Sequence, residues 1–201
     1  MLARHPCSHR AEFGTTMLEV LVTIVILAFG MLGLAGLQSK IFVAEMESYQ
    51  RGQAVVLLNS MIERINANRT VAASYVSANA FGTGDAQPAT CPALPANPTP
   101  AQVAANDQCE WSNALKGAAE TSGGTKVGGM IGAVGCVTQI QAEDQTPTLC
   151  RPGIYLVSVA WQGLNPTSIP SAACGQGTFG GDERLRRAIS ARLAIGLPSC
   201  Q

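Results

Sequence analysis

Histidine is scarce in this chain: it has two, His5 and His9, both ahead of Gly14. A histidine-activated serine or cysteine nucleophile is therefore excluded from everything after Gly14, as is any zinc site built on imidazole. No C-x-x-C pair occurs among the seven cysteines, which removes support for zinc ribbons and thioredoxin-like redox sites. Charge is thin and balanced, with 13 basic against 13 acidic residues in 201, so there is no basic field to attract nucleic acid. Asp85, Asp107, Asp144 and Asp182 fall in loop-like sequence without calcium-ligand spacing, and Glu143 with Asp144 reads as a solvated turn. The glycine-rich stretch Ser122–Gly135 contains neither phosphate-binding motif and reads as a mobile surface loop. The residues point to no enzyme, no metal and no cofactor. Proline is also missing, from the residue after Pro6 to the one before Pro88, so nothing interrupts a long helix there.

What is present is a long apolar run. Between Met17 and Leu37 the only polar side chains are Glu19 and Thr23, and Val20–Leu37 carries no charge. That length approaches the ~20 residues needed to cross a bilayer. Glu19, at the head of the run, is costly in hydrocarbon and needs a partner. The preceding segment, with Arg4 and Arg10 against Glu12, is weakly basic, which keeps it cytoplasmic and sends the C-terminal body outward. A secretory signal would be cleaved after its apolar run, whereas here the candidate processing residue, Gly14, precedes it.

Past Leu37 the apolar residues thin to a stripe of Phe42, Met46, Tyr49, Leu58, Met61, Ile62 and Ile65, the pattern of a helix with one face on a core. One helix from about Thr16 to Asn66 would be about 75 Å long. Gly30, Gly33, Gly36 and Gly52 weaken it by up to ~1 kcal/mol each, or permit close helix packing. Residues 70–135 read mostly as loop, with a short helix around Asn106–Lys116. Val134–Gln141 and Ile154–Gln162 read as strands, and a third carries Leu185, Ile189, Ala191, Leu193 and Ile195 alternating with Arg186, Ser190 and Arg192. Together they predict an antiparallel meander. Cys7 aside, Cys91, Cys109, Cys136, Cys150, Cys174 and Cys200 suit three disulfides in an oxidising compartment. Sequence leaves the pairing open. Local closure favours Cys136–Cys150 and Cys174–Cys200, with Cys91–Cys109 as the remainder.

Gly14, four residues, then Glu19 at the edge of an apolar helix resembles the class III leader of type IV prepilins. The segments Gly30-Met-Leu-Gly-Leu-Ala-Gly-Leu-Gln38 and Tyr155-Leu-Val-Ser-Val-Ala-Trp-Gln-Gly163, and Cys174-Gly with Arg186-Arg187, resemble the minor pilin PilV family of type IV pilus modification proteins. The likeness runs from Gly14 to about Ile65 and from Arg151 to Ile195; residues 70–135 contribute nothing to it. Phe13 departs from the usual basic residue before the glycine, and Thr15 from the usual Phe or Met after it.

The resemblance implies an α+β, type IV pilin-like fold in three parts. Residues 1–14 would be a leader; 15–69 the pilin helix, membrane-spanning over about 17–37; and 70–201 a periplasmic domain in which a small antiparallel sheet with disulfide-bonded loops packs on the helix. It implies cleavage by a prepilin peptidase between Gly14 and Thr15, N-methylation of the new terminus, and an assembly role in which Glu19 faces the Thr15 ammonium of a neighbouring subunit. The implied partners are other minor pilins, the major pilin, the peptidase, the inner membrane and a tip adhesin. The implied work is priming of pilus assembly, in a filament that serves adhesion and twitching motility. The alternatives are a type II secretion pseudopilin, a plain membrane anchor with an incidental Glu19, and a membrane-anchored periplasmic binding module.

Overall fold

A computed structural model of the chain describes residues 14, 16–117, 121–122, 125–126, 130–144, 146 and 150–196. Thr15, Cys7 and Cys200 lie outside them. The chain divides between Ala44 and Glu45 into two units.

Helix α1 runs Met17–Ala67, 51 residues without a break, as the absence of proline allows. Its first part, up to Ala44, is apolar and exposed: no residue of the hydropathic window is buried, and Met17, Phe29 and Phe42 are 92%, 72% and 65% exposed. Adding a Cβ at Gly30, Gly33, Gly36 or Gly52 would meet nothing within 4 Å, so no packing within this chain requires those glycines.

The second unit begins with the remainder of α1. Its buried face is Gln50, Ala54, Leu58, Met61 and Ile65, a spacing of three or four residues that keeps one side of the helix inward. The expected stripe is therefore half right. Met46 and Tyr49, predicted to face the core, are 40% and 48% exposed, and Gln50 with Ala54 take the inward positions instead.

The region expected to be loop holds more structure than its composition suggests. A 3-10 segment, Arg69–Tyr75, buries Ala72 and Tyr75, and strand β1, Phe81–Gly82, joins the sheet edge. Helix α2, Pro100–Leu115, starts six residues before the predicted Asn106. Pro100, the last of a run of prolines that bars a helix interior, stands in its first turn, where a missing N–H costs nothing. Thr99 and Gln102 close the end reciprocally: the Thr99 hydroxyl accepts from the Gln102 N–H at 3.3 Å, and Gln102 Oε1 accepts from the Thr99 N–H at 2.9 Å. A short ribbon pairs β2, Thr121–Ser122, with β3, Thr125–Lys126. Beyond it Met130 and Ala133 are buried, so the end of the glycine-rich stretch belongs to the core rather than to a surface loop.

Strands β4, Val134–Gln141, β5, Gly153–Gln162, and β6, Arg186–Ile195, follow as predicted, all antiparallel in the order β1-β4-β5-β6. Leu185 is not in the third strand; it closes the 3-10 turn Glu183–Leu185. Tyr155, Val157, Val159 and Trp161 alternate onto one face and are buried with Leu193, the inward face of α1, and Ala104, Trp111 and Leu115 of α2. Trp111 is pinned where the layers meet, its indole N–H donating to the Leu57 carbonyl of α1 at 2.9 Å. The other face of the sheet is covered as well. The long β5–β6 connection folds back over it, burying Cys174 and Phe179 against Val134 and Ala160.

Candidate subunit interface

At the head of α1, Gly14 is exposed and non-helical. The Thr16 hydroxyl caps the first turn by accepting from the Glu19 N–H at 3.3 Å. The two polar side chains of the apolar run then differ. Thr23 donates its hydroxyl to the Val20 carbonyl at 2.8 Å, so its donor is satisfied inside its own helix. Glu19 is exposed, and its carboxylate has no hydrogen bond or ion pair among the described residues. It stands in the first turn of a helix that contains a window of mean hydropathy 2.6 and is long enough to cross a membrane. Thr15, the other residue assigned to assembly, lies outside the described residues.

In the second unit three polar clusters tie the layers together. On α1, Glu47 Oε1 accepts from Arg187 at 3.1 Å and from the Leu164 and Asn165 N–H groups at 3.2 and 3.3 Å, joining the helix to the end of β5 and to β6. Further along, Arg64 donates to Asp107 at 2.5 Å and Glu110 at 2.8 Å, and Asp107 accepts the Tyr75 hydroxyl at 2.5 Å. Burial and the Asp107 hydrogen bond together hold the Tyr75 phenol far above its ordinary range. Burial works against the Arg64 charge, but hydrogen bonds to Glu110 and Asp107 outweigh it and raise its pKa. In the third cluster Asp85 accepts from the Gly82 and Gln87 N–H groups at 2.8 and 3.1 Å, from the Ser112 hydroxyl at 2.6 Å, and from Lys116. Burial pushes the Asp85 pKa up, and these donors more than reverse it, leaving it below the ordinary carboxylate value.

Arg186, which alternates with the apolar residues of the third strand, is 2% exposed. Its guanidinium donates to Glu183 at 2.6 Å, to the carbonyls of Cys174 and Pro170 at 3.2 and 3.3 Å, and to that of Ala172. The alternation correctly put Arg186 opposite the main core. It could not show that the 163–182 connection covers that opposite face.

The same fold-back overturns two disulfide pairings. Cys136 is joined to Cys174, not to Cys150, and Cys174 is therefore not joined to Cys200. Cys150 lies beside the Asp144–Arg151 bridge at the hairpin end of β4, far along the ladder from Cys136, whereas the β5–β6 connection brings Cys174 directly onto the Cys136 face. Cys91–Cys109 is formed as expected, fastening the proline-rich segment to α2. Cys150 is itself disulfide-bonded, to a partner outside the described residues. Among the described residues no cluster of three His, Cys, Asp or Glu could hold a metal.

Residues 36–109 match the family model described as Tt1218-like: Type IV pilin Tt1218. No curated relative and no solved structure matches the chain. A long apolar N-terminal helix on a four-stranded antiparallel sheet, with disulfides, is the type IV pilin fold. The match supports a pilin role, which is structural rather than enzymatic, and with it association with other pilins and a membrane-anchored, pilus-assembled existence. It includes residues 70–109, the part of the sequence in which no resemblance was legible. That part supplies Tyr75, Asp107 and the Cys91–Cys109 bridge, which are packing devices with no local motif.

Proposed function

We propose that this chain is a minor subunit of a type IV pilus, of the PilV kind, that helps to prime assembly within a tip-associated complex of minor pilins supporting an adhesin. On this reading a prepilin peptidase cuts after Gly14, Thr15 becomes the new and methylated terminus, and the helix over about 17–37 holds the subunit in the inner membrane with the body in the periplasm until it enters the filament. The supporting observation is the contrast at the head of α1: Thr23 is satisfied within its helix and Glu19 is not. A carboxylate exposed beside an apolar stretch is best neutralised by a cation that a neighbouring chain brings, and the freed ammonium at Thr15 of that neighbour is such a cation.

Glu19→Gln tests this. The variant should be cleaved and inserted at normal levels yet be depleted from sheared pili, with Glu19→Asp between it and the native chain. Normal recovery of Glu19→Gln in pili would reduce α1 to an anchor. An intact Met1 terminus in membranes with active peptidase would remove the leader.

A further inference from the structure

Strand β6 closes the sheet on one side, and nothing among the described residues closes β6. It pairs with β5 in unbroken register from Gly153↔Ile195 to Gln162↔Arg186. The Gly163 N–H donates to the Leu185 carbonyl at 2.7 Å, which sets the phase of the ladder: Arg187, Ile189, Ala191, Leu193 and Ile195 bond to β5, and the alternate residues turn their N–H and C=O groups outward. The Arg186 N–H is used by the Glu183 carbonyl. Those of Ala188, Ser190, Arg192 and Ala194 have no backbone partner among the described residues.

Proteins usually blunt such an edge by shortening it, bulging it, or placing proline or lysine on it. Here the strand has 10 residues, a regular register, and neither proline nor lysine. The outward-bonding residues are small except Arg192, and Ser190, Arg192 and Ala194 are all exposed, so the edge is open to solvent. The neighbouring charges are already committed, Arg186 to Glu183 and Arg187 to Glu47, whereas Arg192 has no ion-pair partner among the described residues.

We infer that the outer edge of β6 is a docking site for an extended segment of another pilus subunit, which adds as a further strand and sets an acidic side chain against Arg192. The main-chain groups supply the affinity and Arg192 the selectivity. A second copy fits less well. Antiparallel pairing of two β6 strands about Ser190 would set Arg192 against Ala188 and leave both guanidiniums unpaired. This inference rests on the filament role proposed above and names the surface through which the body takes part.

The test uses the full chain in sheared pili and in detergent. Hydrogen exchange of the peptide Arg186–Ile195 should show the Ala188, Ser190, Arg192 and Ala194 amides exchanging freely in detergent and protected in pili. Ser190→Pro removes an outward donor that β5 does not use, a substitution edge strands tolerate. Ser190→Ala keeps that N–H while losing the same hydroxyl contact to Ser158. Recovery of Ser190→Pro in pili should fall about ten-fold or more, the equivalent of one or two lost main-chain hydrogen bonds, with Ser190→Ala unaffected. Arg192→Glu should also lower recovery. Equal recovery of the proline and alanine variants, or edge amides that exchange as fast in pili as in detergent, would overturn the inference. A detergent-solubilised dimer with those amides protected would assign the edge to a second copy and overturn the acidic partner. Absence of the native chain from pili is a separate result, which would defeat the filament reading and the occupant named here with it.

Discussion

The two halves of α1 treat polar groups in opposite ways. Up to Ala44 the helix exposes its apolar side chains and leaves one carboxylate, Glu19, without a partner among the described residues. From Glu45 onward charged side chains are tied to the body: Glu47 gathers three donors, Arg64 bridges two acids, and apolar residues turn inward at a regular spacing, with the buried Gln50 Oε1 left without a partner among the described residues. The second half shows what a helix looks like when its own chain supplies its surroundings. The first shows one that its own chain leaves uncovered, so its side chains add little to the stability of the isolated subunit.

The largest test of that contrast lies in the body. Arg186→Ala strips Glu183 and three loop carbonyls of their donor at a site with little access to water, and should lower the unfolding free energy of the full chain in detergent by about 3 kcal/mol. A loss near zero in denaturant titration would mean that the 163–182 connection is not held by this guanidinium. Next comes Gly135→Ala. A Cβ there would lie 2.2 Å from Trp111 and 2.8 Å from Leu115, so the indole must move, at roughly 1–3 kcal/mol. An unchanged melting curve would show the layer between α2 and the sheet to be loosely packed.

Acid should act on the body through Asp85. Its folded pKa lies below its unfolded value, so the stability it contributes is present above about pH 4 and is lost as pH falls through the lower folded value. Asp85→Asn should flatten that acid limb in a series of unfolding measurements. An identical pH slope in the variant would rule the group out. The smallest effect belongs to the first half of α1. Leu27, 60% exposed, should be replaceable by Ala with a change in body stability within about 0.5 kcal/mol, and a larger shift would show that the first half of the helix supports the body after all.

Much of this was legible in the residues. The long helix followed from missing proline and unbroken apolar content, and the main strands from period-two alternation, because both signals are local. Helix α2 was half seen: Asn106–Lys116 read as helix, while its start lay hidden in a proline run, since proline is a breaker inside a helix and a starter in its first turn. A resemblance to pilins over Gly14 to Ile65 could be read from Glu19 and the run behind it. The likeness over residues 70–109 could not, because no short motif marks it there.

The sequence by itself determined the histidine-free, cysteine-bearing character of the chain after Gly14, the existence of α1, β4, β5 and β6, and the singular position of Glu19. These depend on composition and on spacing within an element. Only the tertiary structure decided that Cys136 meets Cys174, that Arg186 is buried, that Gln50 and Ala54 rather than Met46 and Tyr49 face inward, and that the β6 edge stands open. Each depends on where the β5–β6 connection goes after Gln162, on how the layers seat against α1, or on which strand ends the sheet. Alternation assigns a residue to a side of a strand; whether that side meets core, loop or solvent is set by chain segments far away in sequence.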